Sequence, residues 1–196
     1  MSFEKKDEGK VLLQIARTAI SRALRVPCVP AAVEENMLWL SQPRASFVTL
    51  IQRGELRGCI GSLQACHPLI EDVSNNAVSA ALYDPRFISL AADELPTVRV
   101  EVSVLSELHP LDFNSEEDAL AQLRPNLDGV VFEWGPYRST FLPQVWESLP
   151  QPQQFLAQLK SKAQLSENFW AEDIQLSRYT VSKWCETNYL KEYVNG

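Results

Sequence analysis

No apolar run in this 196-residue chain approaches the ~18 residues that a membrane-spanning helix requires. The opening MSFEKKDEGK is polar and leads into an amphipathic pattern, without the apolar centre of a secretory signal. A cytoplasmic protein with no membrane partner is expected. Cysteine is scarce, and Cys28, Cys59, Cys66 and Cys185 show no paired spacing; a reducing compartment keeps all four as free thiols. Cys66 and His67 follow Cys59 at distances that match no zinc-ligand spacing, so no metal site is expected. Basic charge is also short: 18 Lys and Arg against 25 Asp and Glu leave a net charge of −7. Binding to a phosphate backbone needs a basic face, and no affinity for duplex nucleic acid is expected. Repeats, low-complexity tracts and Gly/Ser linkers are absent, so residues 1–196 are read as one domain with room for two lobes.

What is present is a series of short periodic segments. Leu12, Ile15, Ala16, Ala19, Ile20 and Leu24 recur at steps of three and four, which predicts a helix from about Lys5 to Leu24, ending before the proline-bearing VPCVPAAV. ASFVTLIQRGELRGCIGSL predicts two strands folded back around QRGE, with Gly54 supplying the turn or a bulge. HPLIEDVSNNAVSAALY places Pro68 at a first-turn position and then Leu69, Ile70, Val73, Ala77, Ala80 and Ala81 at helical spacing. TVRVEVSVLS alternates four valines against Arg99, Glu101 and Ser103, a half-buried strand that needs helices over its apolar face. Ser115 before EEDALAQL has the form of a capping box, and GVVFEWGPYRSTFL reads as a second hairpin turning at Gly135 and Pro136. QPQQFLAQLKSKAQL and the ENFWAED segment read as helical, and DIQLSRYTVSKW as one closing strand. Strands and helices come in groups, without the strand–helix–strand rhythm of a parallel nucleotide-binding sheet. The class is therefore α+β, with a mostly antiparallel sheet flanked by helices.

Chemistry concentrates in LRGCIG, Leu56 to Gly61. Three of only seven glycines, Gly54, Gly58 and Gly61, fall in this neighbourhood, and glycine within a strand marks a close approach, a bulge or a ligand. Strand alternation puts Arg57, Cys59 and Gly61 on one face, where a guanidinium beside a thiol would favour the reactive thiolate. On this reading Cys59 is a nucleophile and Arg57 its stabiliser. His67 or Glu101 is its proton acceptor, and Gly58 and Gly61 clear the approach. The plainer reading makes Cys59 a small buried hydrophobe, His67 a helix-entry residue and His109 a loop residue. In LYDPRFISLAADEL, Asp84, Arg86 and Glu94 surround an apolar spine, although DP alone suggests an exposed turn. In GPYRSTFLPQVW, Arg138 and Thr140 share a strand face or form a solvated sheet edge. Arg57, Arg86 and Arg138 together could hold a carboxylate or phosphate by forked hydrogen bonds.

These segments in this order resemble the AMMECR-one domain family. LRGCIG is the hallmark of that family, and the similarity extends through PLIEDVSNNAVSAALYDPRF, DELPTVRVEVSVLS, DGVVFEWGPYRSTFLPQVWESL and IQLSRYT, from about Leu12 to Thr180. The resemblance implies an α+β domain with a larger and a smaller lobe and the hexapeptide lining a cleft between them. It also implies the bacterial branch of a three-component system, with a Memo-like protein and a radical-SAM enzyme as partners. It supplies no cofactor and no reaction. Two functions follow: an enzyme or enzyme component using Cys59 on a small anionic substrate, or a non-catalytic adaptor presenting the same surface to a small anion or a partner protein.

Overall fold

The structure, a computed structural model, describes residues 5–33 and 37–186. It is α+β and divides into two compact units, one reaching Leu105 and resuming at Ser182, the other Ser106–Val181. No helix among the described residues is long and apolar enough to cross a membrane.

The first unit holds helices α1 (Lys5–Ala23) and α2 (Leu69–Leu82) and strands β1 (Ser46–Gln52), β2 (Glu55–Gly61) and β3 (Val98–Leu105), with β8 (Val181–Cys185) completing the sheet order β2-β1-β3-β8. β1 pairs antiparallel with both β2 and β3. One sheet face follows from the alternation: Val48 and Leu50 of β1 and Val98, Val100, Val102 and Val104 of β3 are all buried. They join Leu12, Ile15, Ala16 and Ile20 of α1 and Leu69, Val73 and Ala77 of α2 in one core. Burying each such valine contributes about 1.5–3 kcal/mol over leaving it exposed, so these valines require the helical cover that was expected.

The β1–β2 hairpin turns at Arg53 (φ 55°) and Gly54 (φ 89°), both left-handed as a type I′ turn requires. The register then slips. Leu50 faces Gly58 while Ile51 faces Leu56, which leaves Arg57 without a cross-strand partner in a β-bulge. The other glycines of the hexapeptide mark close approaches. A Cβ on Gly58 would lie 2.2 Å from the Ala80 carbonyl oxygen of α2, and one on Gly61 would lie 2.2 Å from the Phe47 ring. A buried polar network fastens α2 to the same hairpin. Asp72 Oδ2 accepts from the Ser46 N–H (2.8 Å), the Ser46 hydroxyl (2.6 Å) and Asn76 Nδ2 (2.9 Å), while Oδ1 accepts from the Ser62 hydroxyl (2.7 Å). Asp72 and Asn76 sit beside Val73 and Ala77 on the buried stripe, so their polar atoms need partners there, and the start of β1 and the end of β2 supply them.

The second unit carries β4 (His109–Pro110), α3 (Glu116–Gln122), β5 (Gly129–Trp134), β6 (Tyr137–Phe141), α4 (Pro152–Lys162) and β7 (Gln175–Tyr179), with sheet order β4-β7-β5-β6. Its core is built on Trp146 stacked against Phe155, with ring centroids 3.8 Å apart, and on Phe132, Leu156, Leu159 and Leu176. Ser115 caps α3 by accepting from the Asp118 N–H (3.1 Å), whereas Asp118 returns its bond to Asn114, one residue earlier than a capping box requires.

Two expectations are corrected here. ENFWAED forms turns rather than a helix, because its aromatics are drawn into separate contacts: Phe169 packs on Trp134 (4.5 Å) and Trp170 on Phe113 (5.7 Å). DIQLSRYTVSKW makes two strands in different sheets. It breaks at Thr180, whose N–H donates to the Ser106 hydroxyl and whose carbonyl accepts from the Ser106 N–H, both at 2.9 Å.

The approach of Gly58 to Ala80 generates a direct expectation. Gly58→Ala should destabilise the protein by about 1–3 kcal/mol, because backbone rather than a movable side chain opposes the new methyl. Gly54→Asn, in open space and at a φ that asparagine tolerates, should cost less. Urea unfolding midpoints check both; equal, small losses would show that α2 does not bear on Gly58.

Candidate thiol site at the edge of the first sheet

β2 is the outermost strand of its sheet, so alternate N–H and C=O groups along it have no neighbouring strand to bond. At Cys59 those groups are met by side chains. Asp84 Oδ2 accepts the Cys59 N–H at 2.8 Å, and Arg86 Nη2 donates to the Cys59 carbonyl at 3.0 Å. The two residues are bound to each other as well: Asp84 accepts from Arg86 Nε (2.9 Å), Nη2 (2.7 Å) and the backbone N–H (3.1 Å). Asp84 is buried while the Arg86 side chain is 54% exposed, so the pair reaches from the interior to the surface across the end of α2. The hydrogen bonds of Arg86 hold the Asp84 carboxyl far below the usual carboxylate range. The N–H groups of Cys59 and Arg86 add to that effect, and burial opposes it.

Arg57 holds the other end of the same segment. Its Nε and Nη2 fork onto Glu94 at 3.1 and 3.0 Å, and Nη1 donates to the Ile88 carbonyl at 2.9 Å. Glu94, which also accepts from the Ala91 N–H at 2.9 Å, is held below its ordinary value chiefly by Arg57. The segment from Asp84 to Glu94 is thus fastened to the hexapeptide at both ends.

The Cys59 side chain is half-buried, and its sulfur lies 3.3 Å from the Thr49 hydroxyl directly across the strand pair. The cation that acts on Cys59 is Arg86. Its guanidinium is raised above its ordinary value first by the hydrogen bonds to Asp84, and in smaller part by Cys59 through charge and a side-chain hydrogen bond. The expected partnership of Arg57 with the thiol is replaced by this one, because the bulge removes Arg57 from the pairing and Glu94 neutralises it. Thr49 also faces Glu101 on β3, so Cys59, Thr49 and Glu101 form one row on one sheet face. Glu101 stands two strand spacings from Cys59, about 10 Å, and pairs with Lys183 at 2.5 Å.

The remaining candidates lie elsewhere. His67 is exposed in the segment between β2 and α2, where its carbonyl accepts from the Arg44 N–H at 3.3 Å. Arg138 and Thr140 belong to the second unit: Arg138 pairs with Glu133 (2.9 Å), and Thr140 is buried against the Tyr179 hydroxyl (3.0 Å). Burial raises the Tyr179 hydroxyl above its ordinary value. Each of the three arginines considered for an anion site therefore has a carboxylate of its own. Gly58 and Gly61 serve packing against α2 and Phe47. Sequence reasoning missed Thr49 and the burial of Asp84. Thr49 could have been found from its place between Phe47 and Ile51 on the alternation of β1, the face opposite Val48 and Leu50.

The depressed Asp84 carboxyl has a pH consequence. A group whose folded value lies below its unfolded one stabilises the protein above the unfolded value, about 4, and loses that contribution as pH falls through the window beneath it. Asp84→Asn should cost about 1–3 kcal/mol at neutral pH, with the gap from wild type closing in acid below the unfolded value. Thermal unfolding of both proteins from neutral to acidic pH checks this; a gap independent of pH would contradict it.

Comparison with known proteins places these features in a family. The AMMECR1 family model matches residues 13–184. A protein of Methanothermobacter thermautotrophicus is 41% identical over 140 residues, covering 71% of this chain and 73% of its own. One of Aeropyrum pernix is 38% identical over 193 residues, covering 92% and 79%. The crystal structure of an uncharacterized protein, PH0010 from Pyrococcus horikoshii, superposes with a TM-score of 0.72 at 30% identity, over 90% of each chain. The match spans the hexapeptide, the Asp84–Glu94 segment and the second unit alike, and the chain belongs to the AMMECR1 family.

Proposed function

We propose that this chain is an enzyme or enzyme component in which Cys59 attacks an electrophilic centre of a small anionic substrate and Arg86 holds the substrate's charge. The observation that carries this reading is the treatment of Cys59. Its N–H and carbonyl are both fixed by the Asp84–Arg86 pair, while its sulfur is half-exposed beside a hydroxyl and a guanidinium. Fixing the backbone and leaving the sulfur accessible pre-organises a nucleophile. Arg86 Nη1 makes no hydrogen bond among the described residues and is the donor offered to a carboxylate or phosphate oxygen. Action beside a Memo-like protein and a radical-SAM enzyme belongs to the same proposal and rests on the family resemblance alone.

A second reading is favoured by a specific observation: Arg57, Asp84 and Arg86 all bind the segment Asp84–Glu94. Their primary duty could be to shape a surface that a small anion or a partner protein recognises, with Cys59 packed and silent.

Iodoacetamide labelling resolved by peptide mass separates the two. Cys66 is exposed and serves as an internal reference. On the enzymatic reading Cys59 labels in the folded protein. Arg86→Gln slows it by up to about tenfold, the effect of a nearby cation on the thiolate fraction, with Cys66 unchanged. Arg57→Leu leaves the Cys59 rate near that of wild type. Labelling of Cys59 only after denaturation would favour the adaptor.

A further inference from the structure

Resting on the reading of Cys59 as a reactive thiol, we infer that the electrophile it is built to meet is a hydroperoxide, and that the Thr49 hydroxyl and the Arg86 guanidinium activate it there. Thiol-based acyl transfer needs a base within hydrogen-bond reach of the sulfur. Among the described residues the hydrogen-bonding neighbours of the Cys59 sulfur are Thr49, at 3.3 Å, and Arg86, neither of them a base. The surrounding carboxylates are already committed: Asp84 to Arg86, Glu94 to Arg57 and Glu101 to Lys183. The imidazole of His67 makes no hydrogen bond among the described residues. What converges on the sulfur is a hydroxyl and a cationic donor, the pair that a peroxide requires. When its O–O bond breaks, negative charge develops on the departing oxygen, and donors aimed at that oxygen stabilise the transition state without any general base.

The step balances as follows. The thiolate sulfur attacks one peroxide oxygen, an S–O bond forms and the O–O bond breaks. Two electrons pass from sulfur to oxygen. The second oxygen leaves as hydroxide, or as alkoxide from an alkyl hydroperoxide, and takes a proton from water. Cys59 is left as the sulfenic acid. No second cysteine is recorded against Cys59 among the described residues, so an external thiol completes the cycle. It condenses with the sulfenic acid, releasing water and forming a mixed disulfide, and a second thiol reduces that disulfide. The clamp on the Cys59 N–H and carbonyl keeps the sulfur in register through these changes.

The test treats the full chain with one equivalent of hydrogen peroxide, traps sulfenic acid with dimedone and quantifies each cysteine by peptide mass. The expected result is trapping at Cys59 about tenfold or more faster than at exposed Cys66, the effect of a charge-assisted hydrogen bond in the transition state. Thr49→Val and Arg86→Gln should each remove most of that advantage, and Thr49→Ser should retain it. Iodoacetamide labelling of Cys59 should be nearly unchanged in Thr49→Val, since alkylation expels iodide and needs no hydroxyl donor. Cys59 that alkylates readily yet is oxidised no faster than Cys66 overturns the hydroperoxide inference and leaves the reactive thiol intact. Cys59 that neither alkylates nor oxidises in the folded protein overturns both. Should Thr49→Val fail to fold, the wild-type ratio of Cys59 to Cys66 and the behaviour of Thr49→Ser decide the question.

Discussion

The Asp84 carboxylate, buried at the open edge of β2, is the contact on which the rest of the site depends. An edge strand carries unpaired backbone groups, and burying them unsatisfied would cost on the order of 1–3 kcal/mol each. Asp84 and Arg86 satisfy both such groups at Cys59, so two side chains do at one residue what a further strand would do along the whole edge. This works only because α2 ends where it does. Gly58 lets the strand come against the Ala80 carbonyl, near the C-terminal end of α2, which brings the segment that follows within reach of β2. Asp72 and Asn76 hold the earlier part of α2 to Ser46 and Ser62, so the helix is fixed to the hairpin near both of its ends.

That fixation separates the duties of the two arginines. Arg57 lies in the bulge, where the alternation of the strand is suspended, and its charge is matched by Glu94; it anchors a segment. Arg86 is also paired with a carboxylate, yet it stays half in solvent, touches the Cys59 backbone and acts on the thiol. A charge buried with its partner is structural, and one that keeps part of its surface in water can still meet a ligand. Cys59 inherits its chemistry from this arrangement more than from its immediate neighbours in the chain.

Much of the fold was legible because its signals are periodic. The alternating valines of β3, the three-and-four spacing in α1 and α2 and the turn at Gly54 each correspond to an observed element. The failures have local causes. ENFWAED carries enough apolar residues to suggest a helix, but Phe169 and Trp170 find separate aromatic partners, and those contacts prevail over weak helical propensity. Thr180 breaks a run that reads as one strand, because its bonds go to Ser106, distant in sequence. At the site, the hexapeptide and the YDPRF segment both stood out, but their relation did not. A single-residue bulge moved Arg57 out of register, and a DP dipeptide that suggests an exposed turn is buried because Cys59 needs an acceptor. Long-range backbone satisfaction leaves no mark in local spacing.

The measurement that bears most directly on this account is amide hydrogen exchange at Cys59. If Asp84 closes the edge of β2, the Cys59 N–H exchanges slowly in the wild-type protein. In Asp84→Ala its exchange quickens by about tenfold or more, the loss of a charge-assisted bond, while the amides of Val48 and Val100 in the sheet interior keep their protection. A Cys59 amide that exchanges at the rate of an unbonded edge group in the wild type, or that is indifferent to Asp84→Ala, would contradict it.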